Sequence, residues 1–195
     1  MIDFLETIKA IDGKVYNLKY HQKRYENVLK SFHIRKFENL QDYLTPPQDG
    51  IYRCRLVYNT QDIYVEYIRY EKRKINTLKI VYNDFIDYTH KSTARKELDN
   101  LFDIRDMCDD VLIVKNSLLT DTTIANIALY DGTKWLTPKK PLLCGTTRQR
   151  LLDDKKIIEA DIKVDEIFTY KKIALLNAMV DFDIIASDDL KDIIC

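Results

Sequence analysis

The chain has 195 residues, of which 46% are hydrophobic and 32% are charged, a balance typical of globular proteins that argues against disorder. Its 31 Lys and Arg residues are matched by 31 Asp and Glu residues, so no net charge attracts nucleic acid or an anionic membrane. With only four glycines and four prolines, collagen-like, linker-rich and turn-repeat designs are excluded.

The N-terminal segment and the cysteines bear on where the protein works. Asp3 and Glu6 lie where a secretory signal needs apolar residues, and no stretch reaches the about 18 apolar residues of a membrane span. The cysteines and the three histidines are scattered without a CxxC pair, which favours neither disulfides nor a zinc site. We therefore expect a cytoplasmic protein with no membrane contact and no metal.

The N-terminal part of the chain predicts a hairpin, a helix and two strands. Residues 2–18 predict the hairpin, with Asp12-Gly13 at its turn. Residues 20–32 have helical period, with one apolar face: Tyr25, Val28, Leu29 and Phe32. Two alternating strands follow, over residues 52–58 and 63–70.

A charged run at residues 71–74 interrupts this pattern and is the best candidate for a linker. Beyond it the sequence predicts strands over 78–82, 111–114, 122–129 and 135–136, helices over 94–103 and 148–156, and a mixed ending over 160–182. The fold class is therefore α/β (α+β), with a small N-terminal domain at 1–72, a linker at 73–77 and a larger C-terminal domain at 78–195.

The first predicted helix carries a candidate anion ligand. Extending its apolar stripe backwards places His21 and Arg24 on the same side as Tyr25. An arginine on an inward face needs an anionic partner, because a desolvated unpaired guanidinium is very costly. The alternative is that Arg24 extends past the helix edge to water.

Three other positions have both a chemical and an ordinary interpretation. Thr146 and Thr147 follow Gly145 at a helix start, which suits a phosphate but also suits plain N-capping. Lys91 could take part in a site, but among so many lysines an ordinary solvated surface lysine is the simpler interpretation. Asp121 could likewise belong to a site or be an ordinary turn acid.

The order and spacing of these positions resemble the class IV family of pyridoxal-phosphate enzymes, which contains branched-chain and D-amino-acid aminotransferases and aminodeoxychorismate lyase. The matching segments, in chain order, are Phe4-Leu5-Glu6-Thr7, His21-x-x-Arg24-Tyr25, Lys91-x-x-x-Arg95, Thr120-Asp121 with Asn126-Ile127, Leu136-Thr137-Pro138 and Gly145-Thr146-Thr147-Arg148. The resemblance runs from about Phe4 to Phe182.

The resemblance implies a two-domain fold-type IV structure like that of D-amino-acid aminotransferase, with the cofactor in the cleft and usually a homodimer. It implies that Lys91 is the catalytic residue, which carries pyridoxal 5'-phosphate as a Schiff base and then moves the substrate Cα proton. Asp121, where relatives have glutamate, would face the pyridine nitrogen. Arg24, Thr146 and Thr147 would bind the cofactor phosphate.

The Lys91-x-x-x-Arg95 spacing and the compact length resemble the lyase members. We therefore expect a lyase that converts 4-amino-4-deoxychorismate to 4-aminobenzoate and pyruvate for folate synthesis. The alternatives are an aminotransferase acting on branched-chain or D-amino acids, and a shortened non-catalytic protein with the same fold. A nucleic-acid-binding module, suggested by thirteen tyrosines and the basic run at 69–74, is disfavoured by the zero net charge.

Arginines supply weaker candidates for substrate binding. Arg53 and Arg55 alternate on one predicted strand, so they share a sheet face and could bind substrate carboxylates. The alternative is a solvated strand face. Arg95, from the motif that contains Lys91, is the third candidate.

Overall fold

The computed structural model describes residues 3–187 and 189–195. This part of the chain is a mixed α/β structure that divides into two compact units. The first unit runs up to Lys72 and includes His90–Ala94, and the second contains Arg73–Thr89 and Arg95–Cys195. The fold class predicted from the sequence is confirmed.

The first unit is a four-stranded antiparallel sheet with one helix. Its elements are β1 (Phe4–Ile11), β2 (Lys14–Val15), α1 (Leu18–Ser31), β3 (Ile51–Tyr58) and β4 (Ile63–Arg69), and the strand order is β2-β1-β3-β4. Asp12 and Gly13 turn the first hairpin with positive φ angles of 46° and 77°. The start of the predicted hairpin, residue 2, lies outside the described residues.

Helix α1 packs its apolar stripe against the sheet. Tyr25, Val28 and Leu29 are buried in one core with Leu56 and Tyr58 of β3. Phe32 was predicted to share this face, but it follows the last helical residue and is 44% exposed. The periodicity was therefore correct inside the helix and wrong at its end.

The second unit contains a five-stranded sheet, a three-stranded sheet and two helices. Its elements are β5 (Leu78–Tyr82), α2 (Lys96–Asp103), β6 (Asp110–Lys115), β7 (Leu118–Leu119), β8 (Asn126–Tyr130), β9 (Trp135–Pro138), α3 (Thr146–Asp153), β10 (Ile158–Ala160), β11 (Lys172–Asn177) and β12 (Asp181–Ile184). The strand orders are β10-β9-β8-β11-β12 and β5-β6-β7.

Strand β6 is buried on both faces. Leu112 and Val114 pack into one core cluster, whereas Val111 and Ile113 pack into another. A strand covered on both sides has a continuous apolar run in place of an alternating one, as the sequence shows here.

The strand predicted over 122–129 begins only at Asn126. Residues Thr122 to Ala125 form a turn, in which the backbone N–H of Thr122 donates to the Ala125 carbonyl at 2.9 Å. The Thr122 hydroxyl also accepts from the backbone N–H of Ala125, at 3.1 Å. Side-chain hydrogen bonds of this kind compete with strand formation. The β-branched threonines favoured a strand in the sequence analysis, but their hydroxyls stabilise a turn instead.

The segment His90–Ala94 belongs to the first unit, although the predicted boundaries, 73–77, placed it in the C-terminal domain. It is held there by β1, because Leu5 N–H donates to the Lys91 carbonyl at 2.8 Å and Thr93 N–H donates to the Asp3 carbonyl at 2.9 Å. The predicted domains also include residues 1, 2 and 188, which lie outside the described part.

Cys108 and Cys195 are joined by a disulfide, although the scattered cysteines did not favour one. The two residues meet because backbone bonds connect Leu78 to both Ile193 and Cys195, while Asp109 N–H donates to the Thr77 carbonyl. Among the helices of the described residues, none has the length and apolar character needed to cross a membrane.

Candidate active site

Three ionisable side chains of the first unit form one cluster: Glu6 and His21 are buried, and Arg24 is 14% exposed. Strand β1 alternates between buried and half-buried positions, and Glu6 occupies a buried one with no exposed surface. Arg24 of α1 donates to both Glu6 oxygens, from Nε at 2.7 Å and from Nη2 at 2.6 Å. His21 Nδ1 lies 2.6 Å from Glu6 Oε2. Arg24 therefore faces inward, and its anionic partner there is Glu6.

The pKa values of this cluster follow from burial and from the two neighbouring bases. Burial raises the pKa of Glu6, but Arg24 and His21 outweigh it and lower that pKa to about 2. Burial lowers the pKa of His21, and the Glu6 contacts oppose this only in part. The lowered pKa favours the neutral form of His21. Because Glu6 is ionised, Nδ1 carries the hydrogen that His21 donates to it, and Nε2 has no hydrogen-bond partner among the described residues.

Lys91 lies in the short segment that pairs with the start of β1. Its carbonyl accepts from Leu5 N–H at 2.8 Å, and the next residue, Ser92, forms a bridge with Phe4. The Lys91 side chain is half-buried, and its positive charge contributes to lowering the pKa of His21. The backbone bonds to β1 hold Lys91 in the same unit as this charge cluster, close enough for its charge to act on His21.

Asp121 of the second unit is a buried acid whose two oxygens each accept a hydrogen bond. Asn126 Nδ2 donates to Oδ1 at 2.8 Å, and Leu143 N–H donates to Oδ2 at 2.9 Å. Burial raises the pKa of Asp121 to about 7, even though these two bonds and the charge of Arg148 lower it. Asp121 is only 4% exposed, so its carboxyl is not solvated as the carboxyl of a surface turn would be.

The start of α3 presents Thr146 and Thr147, both buried, next to Gly145. Neither threonine caps the helix, since Gly145 is the N-cap residue and no side-chain cap bond is present there. In the described part of the chain, neither hydroxyl makes a hydrogen bond. A helix start with uncapped backbone N–H groups and two hydroxyls favours an anion.

Three arginines predicted to bind substrate lie in different surroundings. Arg53 is exposed on β3, and Arg55, on the same face, pairs with Glu66 at 3.0 Å. Arg95 belongs to the second unit, where it donates to the Thr123 carbonyl at 2.9 Å and to the Tyr88 hydroxyl at 3.3 Å. Arg55 and Arg95 therefore already have protein partners, and their part in binding substrate stays a prediction.

Sequence analysis missed the residues that hold these side chains in place. Glu6, Asn126 and Arg148 all stand in the matched motifs, but no role was assigned to them. The available signal was a polar residue at a core-facing position, as with Glu6 between Phe4 and Ile8 on β1.

Nearly all of the described part of the chain matches a known protein family. The family model "Amino-transferase class IV" matches residues 3–187. An uncharacterised protein from Haemophilus influenzae is 36% identical over 185 residues, which covers 92% of this chain and 98% of that protein.

Solved structures of similar fold include a "putative 4-amino-4-deoxychorismate lyase" from Haemophilus somnus 129pt. It is 34% identical, has a TM-score of 0.85, and the match covers 92% of this chain and 97% of that chain. A hypothetical aminotransferase from Mycobacterium tuberculosis in its PLP-bound form is 15% identical with a TM-score of 0.78, covering 94% and 79% of the two chains. The latter likeness shows the fold. From the family model and the identity to relatives over nearly the full length, the chain belongs to the class IV aminotransferase family of pyridoxal-phosphate-dependent enzymes.

Proposed function

We propose that the protein is a lyase that converts 4-amino-4-deoxychorismate to 4-aminobenzoate and pyruvate. The observation that carries this proposal is the 34% identity, over nearly the full length of both chains, to the Haemophilus somnus protein of that description. The Lys91-x-x-x-Arg95 spacing points in the same direction.

Each of the two units carries side-chain groups of the kinds that pyridoxal phosphate requires. The cofactor needs an amine for its aldehyde, an acid for its ring nitrogen and cationic or N–H donors for its phosphate. In the first unit, Lys91 would supply the amine and Arg24 a cation for the phosphate. In the second unit, the buried carboxyl of Asp121 would supply the acid, and Thr146 and Thr147 at the start of α3 would donate to the phosphate. When bound, the cofactor withdraws electrons from the substrate carbon that carries the amino group.

Lys91 has two tasks in this proposal. Its amine would hold the bound cofactor, and the same amine, when it is not bonded to the cofactor, would act as a base. It then takes the proton from the ring carbon that bears the amino group. The ring carbon–oxygen bond breaks, the ring becomes aromatic, and the enolpyruvate gains a proton and leaves as pyruvate. One proton leaves and one is gained, so the reaction needs no second substrate.

Asp121 and the phosphate ligands are proposed to balance the charges of the bound cofactor. An ionised Asp121 stabilises a protonated ring nitrogen, because opposite charges attract strongly in a buried environment. The Glu6 carboxylate uses Nε and Nη2 of Arg24 and fixes the plane of its guanidinium. Arg53, Arg55 and Arg95 are our candidates for binding the substrate carboxylates.

The proposal is tested by the absorption spectrum of the purified protein, before and after pyridoxal phosphate and then borohydride are added. We expect a visible band and a borohydride-stable label on the Lys91 peptide. The variant Lys91→Ala should lose both, whereas Lys163→Ala, a matched change at a lysine whose side chain is 63% exposed, should keep them. A label that persists in Lys91→Ala would contradict the assignment.

Turnover assays separate the remaining alternatives. Release of 4-aminobenzoate from 4-amino-4-deoxychorismate without a keto acid supports the lyase. Activity that requires an amino-acid and keto-acid pair would instead identify an aminotransferase. A protein that stays colourless and unlabelled with excess cofactor would contradict the enzyme proposal and point to a non-catalytic role.

A further inference from the structure

Asn126 connects Asp121 to the loop before α3. It is the first residue of β8 and is 5% exposed. Its Nδ2 donates to Asp121 Oδ1 at 2.8 Å and to the Leu143 carbonyl at 2.8 Å. Leu143 in turn donates its N–H to Asp121 Oδ2 at 2.9 Å, so the carboxylate, the amide and the loop form a closed set of bonds.

Gly145 allows the Asn126 amide to lie in this place. A Cβ built on Gly145 overlaps Oδ1 of Asn126 and lies 3.1 Å from its Cγ. The backbone of Gly145 has φ −68° and ψ 143°, which any residue adopts without strain. Glycine is therefore required here for space and not for conformational freedom.

The amide orientation follows from its partners. Two acceptors, the Asp121 carboxylate and the Leu143 carbonyl, face one end of the side chain, so that end carries the NH₂ group. The carbonyl oxygen of the amide must then face Gly145. This assignment makes Asn126 a donor toward Asp121, which favours the ionised carboxyl.

We propose that Asn126 is a positioning residue for Asp121, and that Gly145 is the small residue that lets it act. The Asn126 amide orients the carboxylate and ties it to the loop that begins α3, so that Asp121 and the Thr146-Thr147 helix start belong to one rigid block. This inference rests on the proposed function for its relevance to the cofactor, but its geometry is independent of it.

The test follows the ionisation of Asp121 in the cofactor-free protein by carbon-13 NMR of its carboxyl, assigned with the variant Asp121→Asn. Asn126→Ala should raise the pKa of Asp121, with an ionisation constant at least about tenfold lower, because a hydrogen bond to a charged group is lost. Besides Asn126 and Leu143, the cation Arg148 acts on this carboxyl. Arg148 is unchanged in Asn126→Ala and in the Gly145→Ala variant described next.

Gly145→Ala gives the sharper test, because it changes neither Asp121 nor its donor. The new Cβ should displace the Asn126 amide and shift the Asp121 ionisation in the same direction. In the double variant Asn126→Ala/Gly145→Ala, the added methyl meets no amide, so the ionisation constant should equal that of Asn126→Ala alone. The matched control is Asn83→Ala, which removes an asparagine that accepts from two backbone N–H groups of the same unit, at 3.0 Å each. It should leave Asp121 unchanged.

An unchanged ionisation of Asp121 in Gly145→Ala, or additive shifts in the double variant, would overturn the inference. If Asn126→Ala does not fold, Gly145→Ala alone provides the test: a raised pKa of Asp121 supports the inference, and an unchanged pKa contradicts it. Cofactor affinity is measured separately. Wild-type protein that binds no pyridoxal phosphate would remove the proposed function, while the titrations still decide whether Asn126 positions Asp121.

Discussion

Glu6 is an acid at a position where the sheet buries its side chain completely. Its burial is tolerated because Arg24 donates two hydrogen bonds to it and His21 lies at 2.6 Å. A buried ion pair of this kind contributes little net stability relative to apolar residues, but removing one partner strands the other charge. The cluster therefore fixes the orientation of Arg24 more than it strengthens the fold.

We predict that Glu6→Gln lowers the free energy of unfolding by about 3 to 5 kcal/mol, because the largely buried Arg24 guanidinium loses the carboxylate that accepts two of its hydrogen bonds. The control is Glu66→Gln, the same change in the Arg55–Glu66 pair, whose side chains are 34% and 36% exposed. Solvent screens that pair, so the loss there should stay below about 1 kcal/mol. Urea unfolding of both variants measures the difference, and equal losses would contradict the prediction.

Asp121 should make stability depend on pH in the opposite sense to Glu6. The folded pKa of Asp121 is raised to about 7 by burial, from 3.8. The protonated carboxyl therefore favours the folded state at low pH, and this contribution is lost as the pH rises from about 4 to about 7. For Glu6, with its pKa lowered from 4.5 to about 2, stability is instead lost as the pH falls through that range.

Asp121→Asn should consequently gain stability relative to the wild type between pH 4 and pH 8, by up to roughly 4 kcal/mol, because it never carries the buried charge. Urea unfolding at both pH values measures this difference. A relative stability that is the same at the two pH values would show that Asp121 ionises at its ordinary pKa.

Helix α3 is held to the sheet through Arg148. This arginine is 3% exposed and donates through Nη2 to the Pro138 carbonyl of β9 and to Glu159 of β10, both at 2.7 Å. Its Nε has no hydrogen-bond partner among the described residues. Because the first turn of the helix carries Thr146 and Thr147, Arg148 also controls where the proposed phosphate ligands lie.

Two arginines of this helix allow a matched comparison. Arg148→Lys should lower the free energy of unfolding by about 1 to 3 kcal/mol, since one ammonium cannot reproduce the buried guanidinium contacts. Arg150→Lys should cost less than about 1 kcal/mol, because Arg150 pairs with Asp154 and Asp181, which are 42% and 57% exposed. Thermal and urea unfolding of the two variants check this, and the reverse order of losses would refute it.

At the scale of the whole molecule, the resemblance to the family favours a homodimer. Sedimentation equilibrium should give twice the chain mass of 23.1 kDa. A mass equal to one chain at micromolar concentration would contradict this prediction.

The local features of this protein could be predicted because they depend on residues close together in the chain. Helix α1 and strands β3, β4 and β5 follow from periodicity, and β6 follows from its continuous apolar run. The motif spacing was also sufficient to identify the family and its cofactor. Errors occurred at element ends, as at Phe32, where the pattern contains no information about where the backbone turns.

The partners of the functional side chains could not be obtained in this way, since each comes from a distant part of the chain. Glu6 reaches Arg24 because β1 buries one face beneath α1, and Asn126 reaches Leu143 and Gly145 because β8 begins beside the loop before α3. Lys91 joins the first unit through backbone bonds to β1. Such contacts depend on strand register and packing, which arise only when the whole chain has folded.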